Sequence, residues 1–198
     1  PRCHKKNIRS NIQVMKPIFL IGYMGSGKTT LGRALSKEME CDFIDLDYFI
    51  EGRFRKTIKD IFAEKGEEGF RKIEHNLLEE VSEFQDVIIA CGGGTPCHYN
   101  NMDIMNSSGL AIYLTTPTSV LLARLSLPQH KAKRPIIANK TDEELKSFIE
   151  RNLIERDHFY NKAKMKFDAT KIETAEETIE TAKELADIIK SQLEKGSV

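Results

Sequence analysis

The stretch Gly22-Tyr-Met-Gly-Ser-Gly-Lys-Thr29 matches the pattern G-x-x-x-x-G-K-[ST], in which a glycine-rich loop surrounds phosphate groups. An apolar run at residues 18–21 precedes the loop and predicts a short buried strand. Residues 29–39 follow it, with apolar side chains spaced as on one face of a helix. A strand before and a helix after are the context that the pattern requires, which disfavours a glycine-rich turn that matches by chance. The sequence therefore predicts a nucleotide-binding P-loop.

The expected chemistry of this loop follows from its geometry. Backbone N–H groups at the start of a helix point at a bound anion, and the helix dipole favours negative charge there. Lys28 would place a positive charge on the β- and γ-phosphates, and the Thr29 hydroxyl would be a ligand of Mg²⁺. The loop thus predicts that a nucleoside triphosphate binds, but not what receives the phosphate.

Length and composition limit the possible classes of protein. The chain has 198 residues, which is enough for one domain with a substantial core. Lys plus Arg and Asp plus Glu each total 30, so the formal net charge is zero and no global basic field would recruit nucleic acid. No apolar run approaches the ~20 residues that cross a membrane. Four cysteines without C-x-x-C spacing argue against a disulfide framework or a zinc site, and favour a reducing, cytoplasmic compartment.

Residues 1–14 are basic and have almost no apolar periodicity. They lack the apolar segment of a signal peptide. We expect them to be a leader, disordered or non-native, in front of one domain at residues 15–198. A natural basic tail is the alternative.

The remaining chain alternates between strand and helix patterns. Further strands are predicted at residues 42–47, 87–91, 111–114 and 166–169. Helices are predicted at residues 57–65, 67–84, 116–125, 141–160 and 175–193. This order is typical of an α/β protein, a three-layer sandwich in which a five-stranded parallel sheet has helices on both faces. Ligands of such sheets bind beyond the carboxyl ends of the strands.

Two carboxylates end the predicted strand 42–47. Asp45 and Asp47 lie two residues apart, so they are expected on the same side of it. Carboxylates in such a position need a cation or hydrogen-bond donors. Capping of a following helix by Asp47 is the alternative interpretation.

Three charged side chains fall on or beside apolar helix faces. Glu74 lies within the apolar stripe of helix 67–84, and Arg71 lies at its edge, three residues earlier. They are either a structural ion pair, or Glu74 holds Arg71 towards an anionic ligand. Arg156 lies near the centre of the apolar side of helix 141–160, where it must meet a carboxylate or a ligand because it cannot lose its charge.

Two other segments have unusual composition. Three consecutive glycines, Gly92 to Gly94, follow strand 87–91, and a tight turn rarely needs three. Residues 127–140 show neither helical nor strand periodicity and carry two prolines and several cations. This segment is either a solvated basic loop or a mobile lid that closes cations over phosphate.

Together these motifs resemble the shikimate kinase family, a group within the nucleoside-monophosphate-kinase-like P-loop kinase fold, over about residues 15–190. Each motif stands in the order that the family has. They are G-x-x-G-x-G-K-T at 22–29, F-x-D-x-D at 43–47, F-R-x-x-E at 70–74, G-G-G at 92–94, R-P at 134–135 and R-x-x-x-Y at 156–160.

The resemblance implies that ATP phosphorylates the 3-hydroxyl of shikimate, giving shikimate 3-phosphate and ADP, in the biosynthesis of chorismate and the aromatic amino acids. It implies Mg²⁺ as the cofactor, held by Thr29 and, through water, by Asp45. The implied catalytic residues are Lys28, Asp47 and Arg134. Asp47 would bind the reacting hydroxyl as a base or orienting group, and Arg134 would reach the transferring phosphate from the lid.

Further roles are implied by position. The residues implied to bind nucleotide are Gly25, Ser26, Gly27, Lys28, Thr29 and Thr30, with Arg124 beside the adenine. The residues implied to bind shikimate are Asp47, Arg71, Gly92, Gly93, Gly94 and Arg156. In this set Arg71 and Arg156 grip the carboxylate, and Glu74 steadies Arg71.

Two other functions are weighed against this one. A gluconate-type sugar-acid kinase would share the fold, but the F-R-x-x-E and G-G-G motifs favour shikimate. A non-catalytic nucleotide-binding module would keep the P-loop, but the presence of Asp47, Arg134 and both substrate arginines argues against it. We expect shikimate and ATP as partners, no nucleic acid or membrane, and a monomer, because no large apolar stripe remains after the core is assigned.

Overall fold

The computed structural model of the chain describes residues 14–132 and 134–194. Its strands are β1 (Ile18–Ile21), β2 (Asp42–Asp45), β3 (Val87–Ala90), β4 (Leu110–Thr115) and β5 (Met165–Asp168). Its α-helices are α1 (Lys28–Glu38), α2 (Leu46–Phe54), α3 (Ile58–Ser82), α4 (Asn101–Ser108), α5 (Thr118–Ser126), α6 (Pro128–Ala132), α7 (Asp142–Tyr160) and α8 (Ala175–Glu194). Short 3₁₀ helices lie at Thr95–Cys97 and Pro135–Ile137.

The five strands form one parallel sheet in the order β2-β3-β1-β4-β5. The central strand β1 pairs with β3 on one side and with β4 on the other, and its side chains are fully buried. Parallel strands need crossover connections, which here are helices that cover the sheet. The predicted α/β class and the five-stranded parallel sheet are confirmed.

Helices cover both faces of the sheet because the strand side chains alternate between them. Ile18 and Leu20 of β1 pack into one apolar cluster with α1 and α8. Phe19 and Ile21 pack on the opposite face with α2, α3 and α4. A third cluster joins the P-loop residue Tyr23 to α5, α7 and the 3₁₀ helix at 135–137. The three-layer arrangement is thereby confirmed, and the P-loop is anchored to an apolar cluster of its own.

The prediction that residues 42–47 form one strand is wrong at its end. The strand stops at Asp45, whose side chain accepts a hydrogen bond of 3.2 Å from the backbone N–H of Asp47. Asp45 is therefore the N-cap of α2, and the chain turns into a helix at Leu46. Asp47 consequently lies in the first helical turn, and it is not the cap that the alternative interpretation expected.

The structure has a kink at Gly66 and short helical elements within residues 127–140. The expected break between helices 57–65 and 67–84 is confirmed, because Gly66, with φ 68° and ψ −178°, is not helical and kinks α3 at that residue. Residues 127–140 contain the short helix α6 and a 3₁₀ turn, although no periodicity predicted them. Elements of only five and three residues are too short to show a period.

Two remaining expectations concern the ends of the chain and membranes. The expected leader at residues 1–14 lies, apart from Val14, outside the described residues. Within the described part, no helix is both long and apolar enough to cross a membrane.

Gly109 offers a test of the sheet packing. It lies between α4 and β4, close to the backbone of Pro17, the residue directly before β1. A Cβ atom at Gly109 would lie 2.0 Å from the carbonyl oxygen of Pro17, which accepts a hydrogen bond from Leu110 N–H. We expect Gly109→Ala to lower the free energy of unfolding by about 1–3 kcal/mol, as overpacking against backbone does. Urea denaturation measures the change.

Gly52 provides the matched control. It lies within α2, and a Cβ atom there would meet nothing within 4 Å. Gly52→Ala should therefore raise stability by up to about 1 kcal/mol through helix propensity. Equal stability of Gly109→Ala and the unchanged chain would contradict the close packing of β1 and β4.

Candidate active site

The P-loop lies at the carboxyl end of β1 and leads directly into α1. Gly27 is the N-cap of α1, with φ 90°, a backbone conformation that side chains rarely adopt. A Cβ atom there would also collide with Ile172, at 1.9 Å. The turn and the first residues of α1 contain all six residues that the family resemblance implies for nucleotide binding. They are Gly25, Ser26, Gly27, Lys28, Thr29 and Thr30.

Lys28 points back into the loop. Its ammonium group donates hydrogen bonds of 2.8 Å to the carbonyl oxygens of Gly22 and Tyr23. Burial lowers the pKa of Lys28 to about 8, although the nearby negative charges of Asp47 and Asp45 oppose that shift. At neutral pH the side chain therefore still carries its positive charge.

The two carboxylates at the end of β2 serve different neighbours. Asp45 accepts a hydrogen bond of 2.7 Å from the Thr29 hydroxyl through Oδ2, while its Oδ1 caps α2. A hydroxyl and a carboxylate oxygen at this distance fit Mg²⁺, which takes few protein ligands and keeps waters and phosphate oxygens for the rest. No group of three or more His, Cys, Asp or Glu side chains that could hold a metal ion occurs among residues 14–132 and 134–194.

Asp47 faces the loop from the first turn of α2, with one side open to solvent. Desolvation by the surrounding protein raises the pKa of the Asp47 carboxyl to about 6, and the negative charges of Asp45 and Glu74 act in the same direction. The positive charge of Lys28 partly offsets them. At pH 7 Asp47 is therefore mostly ionised, and it is a stronger base than an ordinary aspartate.

The three glycines after β3 are the point around which the polar side chains gather. A Cβ atom at Gly92 would lie 3.2 Å from Asp47 Oδ1 and 3.2 Å from Glu74 Oε1. A Cβ atom at Gly94 would lie 2.7 Å from Arg71 Nη2. At Gly93 it would lie 3.5 Å from both Arg156 Nη1 and the Gly22 carbonyl oxygen. The structure thus brings Asp47, Arg71 and Arg156 together across bare backbone, next to the P-loop.

Arg71 and Glu74 form the ion pair that their spacing predicts. Arg71 Nη1 donates to Glu74 Oε2 at 2.8 Å, and Glu74 is only 1% exposed. The more exposed Glu67 lies 3.7 Å from Arg71 Nη2. Since Glu74 holds one terminal nitrogen while Nη2 faces Gly94, the pair aims the guanidinium at the cleft.

Arg156 lies on α7 and meets aromatic side chains, not the carboxylate that was one expected partner. Its guanidinium carbon lies 5.6 Å from the centre of the Tyr23 ring, which is a cation–π contact. One turn later, Tyr160 donates a hydrogen bond of 2.7 Å to the Gly93 carbonyl oxygen. The R-x-x-x-Y motif therefore fastens α7 to both the P-loop and the glycine turn.

Arg134 and Arg124 occupy different surroundings. Arg134 donates a hydrogen bond of 3.1 Å to the His130 carbonyl oxygen within the segment 127–140, and its positive charge acts to lower the pKa of Lys28. Arg124 is 7% exposed, and it pairs with Glu173 at 2.7 Å. Its other nitrogens donate to the carbonyl oxygens of Gly25, Ala169 and Thr170. Arg124 thus joins the P-loop to the segment after β5.

Sequence reasoning missed three residues that border this site. Tyr23 occupies a variable position of the P-loop pattern, so its contact with Arg156 has no motif signal. Thr95 and Asn101, both 0% exposed, follow the glycines in a stretch without periodicity. A polar residue next to a motif is a weak signal, and only the fold reveals that both are buried.

Comparisons with known proteins identify the family of the chain. The family model described as shikimate kinase matches residues 24–189. A shikimate kinase of Parabacteroides distasonis is 48% identical over 175 residues, covering 88% of this chain and 100% of that protein. A shikimate kinase of Phocaeicola vulgatus is 52% identical over 159 residues, covering 80% and 90%.

The chain belongs to the shikimate kinase family.

Solved structures of shikimate kinases have the same fold. The enzyme from Bacteroides thetaiotaomicron is 44% identical, with a TM-score of 0.84 over 89% of this chain and 99% of that one. The enzyme from Acinetobacter baumannii, solved in complex with shikimate, is 29% identical, with a TM-score of 0.74 over 93% and 96%. As a member of this family, the chain is an ATP-dependent kinase with an alcohol group as acceptor, and the P-loop kinase fold is confirmed.

The contacts of Arg124 predict that this side chain stabilises the folded state. Arg124→Gln would remove a buried charge that holds three carbonyl oxygens, so we expect it to lower the free energy of unfolding by about 2 kcal/mol. Glu173→Gln is the control and should cost less than about 1 kcal/mol, because the Glu173 side chain is 58% exposed. Thermal and urea denaturation measure both, and an unchanged midpoint for Arg124→Gln would contradict the prediction.

Proposed function

We propose that the chain transfers the γ-phosphate of ATP to the 3-hydroxyl of shikimate, giving shikimate 3-phosphate and ADP in the biosynthesis of chorismate and the aromatic amino acids. The observation that carries this proposal is the convergence of Asp47, Arg71 and Arg156 on Gly92 to Gly94, beside the P-loop. One cleft thus holds an anion-binding loop, a carboxylate base and two cations. A small acid with hydroxyl groups has the matching chemistry.

On the donor side, the backbone N–H groups from Gly25 to Thr30 would surround the phosphates, and Lys28 would neutralise their charge. Thr29 and Asp45 would hold Mg²⁺, which supplies additional charge neutralisation when it is bound. Arg134 would approach the transferring phosphate from the lid, because its charge already acts on Lys28. Arg124, which contacts both the P-loop and the segment after β5, would form the side of the adenine site.

On the acceptor side, Arg71 and Arg156 would bind the shikimate carboxylate, since guanidinium groups match carboxylates in planar geometry. Asp47 would accept a hydrogen bond from the reacting hydroxyl, and the exposed backbone of the glycines would approach the others. The hydroxyl oxygen then forms a bond to the γ-phosphorus while the bond to the bridging oxygen of ADP breaks. The hydroxyl proton passes to Asp47, whose raised pKa suits it to accept.

We also propose that the chain acts as a monomer in the cytoplasm. Every site residue named above belongs to one chain, so the site needs no partner subunit. The cysteines at positions 41, 91 and 97 are free thiols, as in a reducing compartment.

The proposed reaction is tested by measuring ADP release from ATP and Mg²⁺ with a coupled assay. We expect turnover with shikimate, and none above background with gluconate or without an acceptor. Asp47→Ala should lower kcat by about 10² or more, because it removes the group that accepts the proton. Asp42→Asn, an exposed change on β2, the strand that precedes Asp47, is the control and should leave kcat unchanged.

Two results would contradict this function. Turnover with gluconate and not with shikimate would favour a sugar-acid kinase. ADP binding without turnover on either acid would favour a nucleotide-binding module.

The role of Arg156 is tested by a pair of variants on α7. Arg156→Ala should raise KM for shikimate at least about tenfold with little change in KM for ATP, since a charge-assisted contact with the carboxylate is lost. Arg151→Ala removes an exposed arginine on the same helix and should leave both constants unchanged. Loss of folding in Arg156→Ala, seen by circular dichroism, would instead make this arginine structural.

A further inference from the structure

Behind Arg71 lies a chain of buried polar side chains that the proposed reaction does not use. Glu74 has two carboxylate oxygens with separate partners: Oε2 accepts from Arg71, and Oε1 accepts from the Thr95 hydroxyl at 2.6 Å. Glu74 is 1% exposed and Thr95 is 0% exposed, so water does not replace either bond. The orientation of the carboxylate is therefore set from both sides.

Thr95 is itself held from behind. Asn101, which is 0% exposed, donates from Nδ2 to the Thr95 carbonyl oxygen at 2.8 Å. Asn101 Oδ1 lies 2.7 Å from His75 Nδ1. A backbone carbonyl only accepts, so the amide nitrogen must face Thr95 and the amide oxygen must face His75. His75 Nδ1 consequently carries the proton. His75 therefore donates to Asn101, Asn101 donates to the Thr95 carbonyl oxygen, and the Thr95 hydroxyl donates to Glu74.

The glycine turn places this chain at the site. The Thr95 N–H donates to the Gly92 carbonyl oxygen at 3.1 Å, which closes the turn that contains the three glycines. A Cβ atom at Gly92 would lie 3.0 Å from Thr95 Oγ1 and 3.2 Å from Glu74 Oε1. The segment that forms the bare backbone of the cleft thus also supplies the hydroxyl that fixes Glu74.

We propose that Thr95, held in place by Asn101, is a positioning residue for acceptor binding: its hydroxyl fixes Glu74, and Glu74 aims Arg71 at the substrate carboxylate. Neither Thr95 nor Asn101 needs to touch the substrate. Without the hydroxyl, Glu74 Oε1 has no other donor among the residues that the structure describes, and the carboxylate is free to turn away from Arg71. The inference rests on the proposed function, because it concerns the acceptor carboxylate.

The test replaces Thr95 with valine, which has the same shape and no hydroxyl. We expect Thr95→Val to raise KM for shikimate about tenfold, the effect of losing a hydrogen bond to a charged group, with KM for ATP and kcat within about twofold. Thr95→Ser keeps the hydroxyl and should keep KM for shikimate within about twofold. If Thr95→Val fails to fold, the smaller Thr95→Ala serves in its place with the same expectation.

Two controls separate positioning from general stability. Thr181→Val removes another buried hydroxyl, bonded at 2.6 Å to the Lys171 carbonyl oxygen, and should leave KM for shikimate unchanged. In a Glu74→Gln background, Thr95→Val should have little further effect on KM, because its action passes through the Glu74 carboxylate.

The outcomes distinguish this inference from the proposed function. No turnover of shikimate by the unchanged chain would overturn the function itself. Normal turnover by the unchanged chain, with the same KM for shikimate in Thr95→Val, would overturn only the role of Thr95. An equal loss in Thr95→Ser and Thr95→Val, or full additivity with Glu74→Gln, would show that Thr95 acts through packing and would overturn it as well.

Discussion

Parallel pairing of β1 with β3 and β4 is the constraint on which the rest of the structure depends. Parallel strands all end at the same edge, so the segments that follow them must meet there. Beyond β1 lies the P-loop, beyond β2 lies Asp47, and beyond β3 lie the three glycines. Residues far apart in the chain thereby reach one cleft without any long loop. The buried helices on both faces supply the apolar contacts that keep this edge in register.

Behind the cleft lies a buried carboxylate, that of Glu74, whose charge must be compensated by neighbouring groups. Glu74 lies among apolar residues of α3, where an unpaired charge would be strongly unfavourable. Arg71 and Thr95 each bind one of its oxygens, and this satisfies the charge while restricting both partners. The negative charge of Glu74 also contributes to the raised pKa of Asp47. Glu74 thus acts both on Arg71, which would bind the substrate, and on Asp47, which would accept the hydroxyl proton.

Periodicity and motif spacing predicted the sheet and the residues that gather at its edge. They also predicted the helices α1, α3, α5, α7 and α8, but not α2 or α4. They failed where a structure depends on a single local hydrogen bond or on a very short element. The cap formed by Asp45 moves Asp47 from a strand into a helix. Asp45 still bonds Thr29 of the P-loop, and Asp47 still lies close enough to Lys28 for that positive charge to act on its pKa. The 3₁₀ turn at Thr95–Cys97 spans three residues, too few for any period. The contacts of Thr95, Asn101 and Tyr23 are tertiary, so no local pattern could indicate them.

The division of the cleft into donor and acceptor sides follows from which strands supply each part. The proposed donor side comes from β1 and the start of α1, whereas the proposed acceptor side comes from α2, α3, α7 and the turn after β3. Tyr23 connects the two sides, because its carbonyl oxygen accepts from Lys28 while its ring lies against Arg156 of α7. Tyr23 also belongs to the apolar cluster that contains Ile137 of the segment 127–140. The positions of Lys28 in the P-loop and Arg156 in α7 therefore both depend on one residue, Tyr23, which ties the two halves of the cleft together.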